Sequence, residues 1–156
     1  MESGTFKIYR TECNLTGLIC GIVNRFATEH PNISISGQLA PGIIGAWDSA
    51  SIAQLVTELI SNAIKYGNGQ PIEIEASQSA LGALVTVRDR GLGISAERLD
   101  RIFERRERSD PDSRKPGLGV GLWMAKQIAE AHGGTLLIRS EPGQGSTFVV
   151  ELPFSK

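Results

Sequence analysis

The chain has 156 residues, 40% of them hydrophobic, which is enough apolar material for one globular domain with a full core and too little for a second. Lys and Arg total 16 against 17 Asp and Glu, a formal net charge of −1, so there is no global basic field for nucleic acid or an anionic membrane, and an anionic ligand needs a local site. No stretch approaches the roughly 20 apolar residues of a membrane span, and Met1-Glu2-Ser3-Gly4 is too polar to open a signal peptide, so a cytoplasmic domain is expected, with no nucleic acid and no direct membrane contact among its partners.

A short polar and apolar alternation over residues 5–9 leads into Leu15, Leu18, Ile19, Ile22, Val23 and Phe26, the spacing of one apolar stripe on a helix that ends near His30-Pro31. Cys13 and Cys20 stand seven apart in this predicted helix, which separates them by roughly 10 Å, beyond disulfide reach, as two buried thiols. Ile33 and Ile35 alternate with Ser34 and Ser36, Gly37 and Pro41-Gly42 mark turns, and Ile43-Ile44 opens a second short strand ending at Trp47. Together these residues predict a hairpin. Asp48 or Ser49 can cap the next helix, with Ile52, Val56, Leu59, Ile60, Ala63 and Ile64 as its inner face and Gly67 as its stop.

Strands over residues 72–76 and 84–87 follow, joined through Ser79-Ala80-Leu81-Gly82, and Asp89-Arg90-Gly91-Leu92-Gly93 leaves the second. Residues 95–103 predict a short helix. Residues 104–116 hold many charges and two prolines with almost no apolar side chain, and read as a mobile surface loop of lid length. After Gly117-Leu118-Gly119-Val120-Gly121, a helix over residues 122–131 stops at Gly133-Gly134, and strands over 136–138 and 147–152 form a closing hairpin. The helices in this order are too few to cover both faces of a sheet, which predicts a two-layer α/β sandwich occupying residues 1–156 as one domain.

Three groups of residues can carry chemistry. Glu58, Asn62 and Lys65 fall at i, i+4 and i+7 of the long helix and form one polar row. An amide oxygen and a carboxylate suit a hard cation such as magnesium, and a lysine supplies a point charge for phosphate. Alone, the same row also reads as a solvated helix face with a Glu–Lys pair. Asp89, at a strand end before Gly91 and Gly93, can accept from an exocyclic amine, as on adenine, or can close an Asx turn. The alternate glycines Gly117, Gly119 and Gly121 directly before a helix offer backbone N–H groups to phosphates, or serve as a hinge; they match neither the Walker nor the Rossmann pattern.

In combination, the run from Glu58 through Asn62 and Lys65 to Tyr66 resembles the N box of histidine kinases. Asp89-Arg90-Gly91-Leu92-Gly93-Ile94 resembles their first glycine box, Ile102-Phe103-Glu104 their F box, and Gly117, Leu118, Gly119, Val120, Gly121 and Leu122 their second glycine box. Ala131-His132-Gly133-Gly134-Thr135 and the segment from Ser140 to Phe148, with Thr147, are similar to that family's closing hairpin, so the resemblance covers nearly the whole chain. It implies the Bergerat ATP-binding sandwich shared with gyrase B, Hsp90 and MutL, a mixed and mostly antiparallel sheet with helices on one face and a mobile ATP lid over 104–116.

The resemblance also implies roles. Asn62 would hold magnesium, Lys65 would contact the phosphates, Tyr66 would pack near the base, and Asp89 would accept from the adenine amine. Gly91, Gly93, Ile94, Phe103, the second glycine box and Thr147 would complete the ATP site, and Glu58 would orient the acceptor imidazole or its proton. The chain departs from the family where Arg105 and Arg106 follow the F box in place of a second aromatic. Neither His30 before Pro31 nor His132 before Gly133 has the acceptor context, and each reads as a helix-end residue, His132 favourable to the helix dipole. The acceptor is therefore expected on the dimerisation and phosphoacceptor helices of a parent kinase that can be membrane-anchored, with a response regulator downstream. The start at Glu2-Ser3-Gly4 is similar to the end of that hairpin's second helix. The alternatives are a free-standing anti-sigma-factor serine kinase of the same fold and a degenerate interaction module that binds no nucleotide.

Overall fold

In the computed structural model the described residues are 7–99, 101–103 and 118–154, with the backbone alone described at 118–120. The expected lid at 104–116 and Gly117 lie outside them. The chain opens with strand β1 (Thr11–Asn14), which runs directly into helix α1 (Leu15–Glu29), capped by the Asn14 side chain accepting from Gly17 N–H at 3.1 Å. Cys13 is therefore a buried strand residue and Cys20 an exposed helix residue, so the expectation of two buried thiols in one helix holds only for the burial of Cys13; both are free.

Strands β2 (Ile35–Leu39) and β3 (Ile44–Trp47) do not form the predicted hairpin. β2 runs parallel to β4 (Ile72–Gln78) at the edge of the main sheet, and β3 pairs antiparallel with β1 in a separate two-stranded sheet, Thr11 opposite Trp47. The connection explains the split. Ala40 N–H bonds to Ala76 O at 2.9 Å on the main sheet, while Thr16 Oγ1, at the start of α1, donates to Ala40 O at 2.7 Å and accepts from Ile43 N–H at 3.0 Å. The turn is thus pinned to the helix, and the following strand is led away from its predecessor.

Helix α2 (Ser49–Tyr66) begins at Asp48, whose side chain accepts from Ser51 N–H at 3.2 Å, and gives way at Gly67. β4 and β5 (Gly82–Asp89) form an antiparallel pair, α3 (Ala96–Leu99) is shorter than expected, and α4 (Leu118–Ala131) starts four residues earlier than expected. Leu118, Gly119, Val120 and Gly121 are consequently the first turn of a helix rather than a loop before it. β6 (Thr135–Glu141) and β7 (Gly145–Pro153) close the sheet in the order β2-β4-β5-β7-β6, antiparallel everywhere except at β2.

Alternation decides the layers. Ile72, Ile74 and Ala76, then Val85 and Val87, then Phe148, Val150 and Leu152 are buried on one face, against α1, α2 and α4, while Leu84, Arg88 and Glu151 are exposed on the other. The result is the expected two-layer sandwich with its helices on one face. Trp47, fully buried, ties the small sheet to the large one through Nε1–H to Pro153 O at 2.8 Å. No helix among the described residues is long and apolar enough to cross a membrane.

Candidate functional site

α2 carries the polar row from the interior to the surface. Asn62 is 5% exposed, and its Oδ1 is buried without a hydrogen-bond partner among the described residues. A buried amide oxygen left in that state costs about 1–3 kcal/mol, so this helix face is not simply solvated, and Asn62 is poised to meet an electropositive group. One turn earlier, Glu58 is half-buried; burial pushes its carboxyl above the usual range, and the Lys65 ammonium pulls against that shift. Lys65 itself is exposed.

Asp89 ends β5 and is 2% exposed. Burial pushes its carboxyl up, and the backbone N–H groups of Gly91, at 3.0 Å from Oδ1, and Ser146 oppose that push. The Asx turn to Gly91 is therefore real, yet a carboxylate has about four lone-pair positions, and these two donors leave acceptor capacity for a ligand. The loop after Asp89 is fastened to its surroundings. Leu92 N–H bonds to Tyr66 O at 3.1 Å, Gly143 N–H to Leu92 O at 2.7 Å, and the N–H of buried Ile94 to Ser140 Oγ at 2.7 Å. Gly91 is needed because a Cβ there would meet Tyr66 O and the Gly67 backbone, and Gly93 because its φ is +73° and a Cβ would meet Glu141 O.

The two halves meet along α2. At one end Gly67 lies against Asp89; at the other the Glu58 carboxyl fills the space where Gly121, in the first turn of α4, would carry a Cβ. Nine residues of helix separate these contacts, about 13 Å, so the site is elongated. Tyr66, at the end of α2, has the Arg98 guanidinium 5.8 Å from its ring centre, and Phe103 has the Lys126 ammonium of α4 5.0 Å from its ring centre. Leu122 is buried beside Gly121 in α4.

Thr147 is not brought to Asp89. It lies opposite Arg88 and Arg139, on the sheet face away from the helices, and buried Ser146 is the β7 residue opposite Asp89. The strand period of two assigns the faces once the register is known, and the sequence alone does not supply that register. The Ser140–Ser146 pair, with Oγ atoms 2.8 Å apart, was the part of the neighbourhood that sequence reasoning missed; adjacent hydroxyls flanking a glycine turn were its signal.

The two histidines are accounted for elsewhere. His30 caps α1 and stacks on Phe26 at 6.2 Å. His132 is fully buried, with Nδ1 2.8 Å from Ile128 O and Nε2 accepting from Asp48 N–H at 3.0 Å. That pattern requires the neutral ring with its proton on Nδ1, and burial pushes its pKa down. The expectation of a charged partner for the helix dipole gives way to a neutral strut between α4 and the cap of α2.

A family model described as histidine kinase-, DNA gyrase B-, and HSP90-like ATPase matches residues 47–156. The chain is similar to the sensor histidine kinase RppB of Synechocystis sp., 36% identical over 147 residues that make up 90% of this chain and 32% of that protein. It is also similar to the sensor histidine kinase YkoH of Bacillus subtilis, 42% identical over 67% of this chain and 23% of that protein. The chain thus spans about a third or less of these curated relatives. Among solved structures, a nucleotide-free form of the catalytic domain of histidine kinase ThkA superposes with a TM-score of 0.81 at 25% identity, over 96% of this chain and 100% of that one.

Proposed function

This chain belongs to the family of histidine kinase-, DNA gyrase B- and HSP90-like ATPases, and on that premise we propose that it binds Mg-ATP and presents the γ-phosphate to a histidine on a separate phosphoacceptor hairpin. The observation that carries the reading is the buried Oδ1 of Asn62, which has no hydrogen-bond partner among the described residues. A neutral amide oxygen fits a hard cation that keeps most of its waters and takes few protein ligands, so Asn62 is the residue that would hold magnesium. A cation held there would supply positive charge to offset that of the phosphate oxygens.

The chain's own residues divide the remaining work. Asp89, held by Gly91 and Ser146, accepts from the adenine amine, and Gly91, Gly93 and Ile94 shape the loop beneath the base. Tyr66 and Phe103 border the opening, Lys65 reaches the phosphates from the exposed end of its row, and the first turn of α4, with Leu118, Gly119, Val120 and Gly121, directs N–H groups and the positive helix end toward them. Glu58 is a stronger base than an exposed carboxylate because burial raises its pKa, which suits it to orient the acceptor imidazole or take its proton. The acceptor helices and a downstream response regulator would belong to a longer parent protein.

Calorimetric titration of ATP into the chain, with magnesium and with chelator, tests the reading against Asn62→Ala and Asp89→Ala. Removing magnesium should weaken the wild type and leave Asn62→Ala nearly unaffected. Asp89→Ala should lose about 2–3 kcal/mol, the value of a buried charge-assisted hydrogen bond. Unchanged ATP affinity in both variants would sink the assignment.

A further inference from the structure

Beyond the residues that would touch nucleotide, we infer that Ser140 is a positioning residue that sets the site's preference for a 6-amino over a 6-oxo purine by fixing the Asp89 carboxylate; this rests on the reading of Asp89 above. The side chain stands at a junction. Ser140 Oγ accepts the Ile94 N–H at 2.7 Å, donates to Gly145 O at 3.0 Å and lies 2.8 Å from Ser146 Oγ. With its one proton committed to Gly145, it takes the Ser146 proton as a second acceptor contact.

These bonds join the two segments that supply the donors to Asp89. One segment is the loop from Gly91 to Ile94, which begins with the N–H on Asp89 Oδ1 and ends on Ser140; the other is the start of β7, where Ser146 supplies the second N–H to the same carboxylate. One hydroxyl therefore closes a ring around Asp89. A fixed acceptor pairs with a 6-amino group and faces lone-pair repulsion from a 6-oxo group, whereas an acceptor free to swing loses the attraction and relieves the repulsion. Ser140 acts on base selection without touching the base.

The probes are ATP and inosine triphosphate, which differ at purine position 6, titrated with magnesium into the wild type, Ser140→Ala, Ser140→Thr and, as a control on the same strand, Thr135→Val. The Thr135 hydroxyl bonds to the exposed Glu151 carboxylate at 3.4 Å, away from the Ser140 junction, so its variant should match the wild type. The wild type should prefer ATP. Ser140→Ala should reduce the ATP to inosine triphosphate affinity ratio about five- to tenfold, the scale of one hydrogen bond lost at a buried acceptor, and Ser140→Thr, which keeps the hydroxyl, should restore most of it. Equal weakening of both nucleotides in Ser140→Ala, or no change, overturns the inference while leaving nucleotide binding standing. A wild type that binds neither nucleotide overturns the function proposed above and this inference together. Should Ser140→Ala unfold below the assay temperature, Ser146→Ala removes the other hydroxyl of the pair and is judged by the same ratio.

Discussion

At the scale of single residues, His132 couples stability to pH. Its ring is neutral in the fold because burial disfavours the charged form and the Arg10 guanidinium adds to that, against the weaker pull of Asp48 and the bond to Ile128 O. An unfolded histidine titrates near pH 6.5, so below that value the unfolded chain binds more protons than the folded one. The stability from neutral His132 is complete above about pH 6.5 and is lost as pH falls below it, at up to about 1.4 kcal/mol per pH unit. Protonation also removes the acceptor for Asp48 N–H, at the cap of α2. Asp48 acts in a separate and lower window. Burial raises its pKa, but the N–H groups of Tyr9 and Ser51 outweigh that and hold it below the ordinary 3.8, so its contribution is lost only as pH falls below about 4. Urea midpoints between pH 5 and 7.5 should fall with pH in the wild type and flatten in His132→Asn, which is less stable at pH 7.5. Raised Glu58 and Asp89 titrate in both proteins and cancel in the comparison. Equal pH slopes would remove His132 from this account.

At the scale of elements, what was legible in the sequence was local, and what was not depended on distant partners. α2 was readable end to end because Asp48 and Gly67 punctuate a stripe of period 3.6, and β6 and β7 because a glycine turn joins two alternating runs. β1 was missed because Thr11–Asn14 is a strand only by virtue of β3, some thirty residues on, and the β2–β3 hairpin was wrongly expected because adjacency in sequence is the only pairing a lone sequence offers. Asn62, Asp89 and the glycines stand out as candidates by residue type and spacing, whereas the placing of Ser146 rather than Thr147 opposite Asp89 needed the register. The small sheet that escaped notice has its own clamp. Arg10, just before β1, donates to Ala46 O at 2.7 Å and to His132 O at 3.1 Å, joining β3 to the C-terminal end of α4. Arg10→Ala should lower stability by about 1–3 kcal/mol, the range for hydrogen bonds from a charged donor, as read from urea unfolding. ATP affinity should not change, because Asp48, at this end of α2, lies about 15 Å before Glu58. A nucleotide-affinity loss in Arg10→Ala as large as in Asp89→Ala would mean that the clamp reaches the site.

At the scale of the whole molecule, binding and transfer should separate. The chain has two histidines, and the fold occupies both: His30 closes α1 against Phe26, and both ring nitrogens of His132 are engaged in the interior. The buried His132 imidazole cannot leave its place without giving up its bond to the cap of α2, and His30, half-buried, stands at the C-terminal end of α1 stacked on Phe26. Phosphoryl transfer requires the attacking nitrogen within roughly 3–3.5 Å of phosphorus, and a tethered acceptor supplies an effective concentration that chance collision does not. The isolated chain should therefore bind ATP without labelling itself, and should transfer phosphate slowly to a separate phosphoacceptor hairpin and faster when that hairpin is joined to it. The measurement is acid-labile label from γ-labelled ATP on each chain, with and without the hairpin. Label on the 156-residue chain alone, abolished by His30→Ala or His132→Ala, would show that the acceptor lies within this fold, and its loss in His132→Ala would mean that the buried strut opens far more readily than its hydrogen bonds imply.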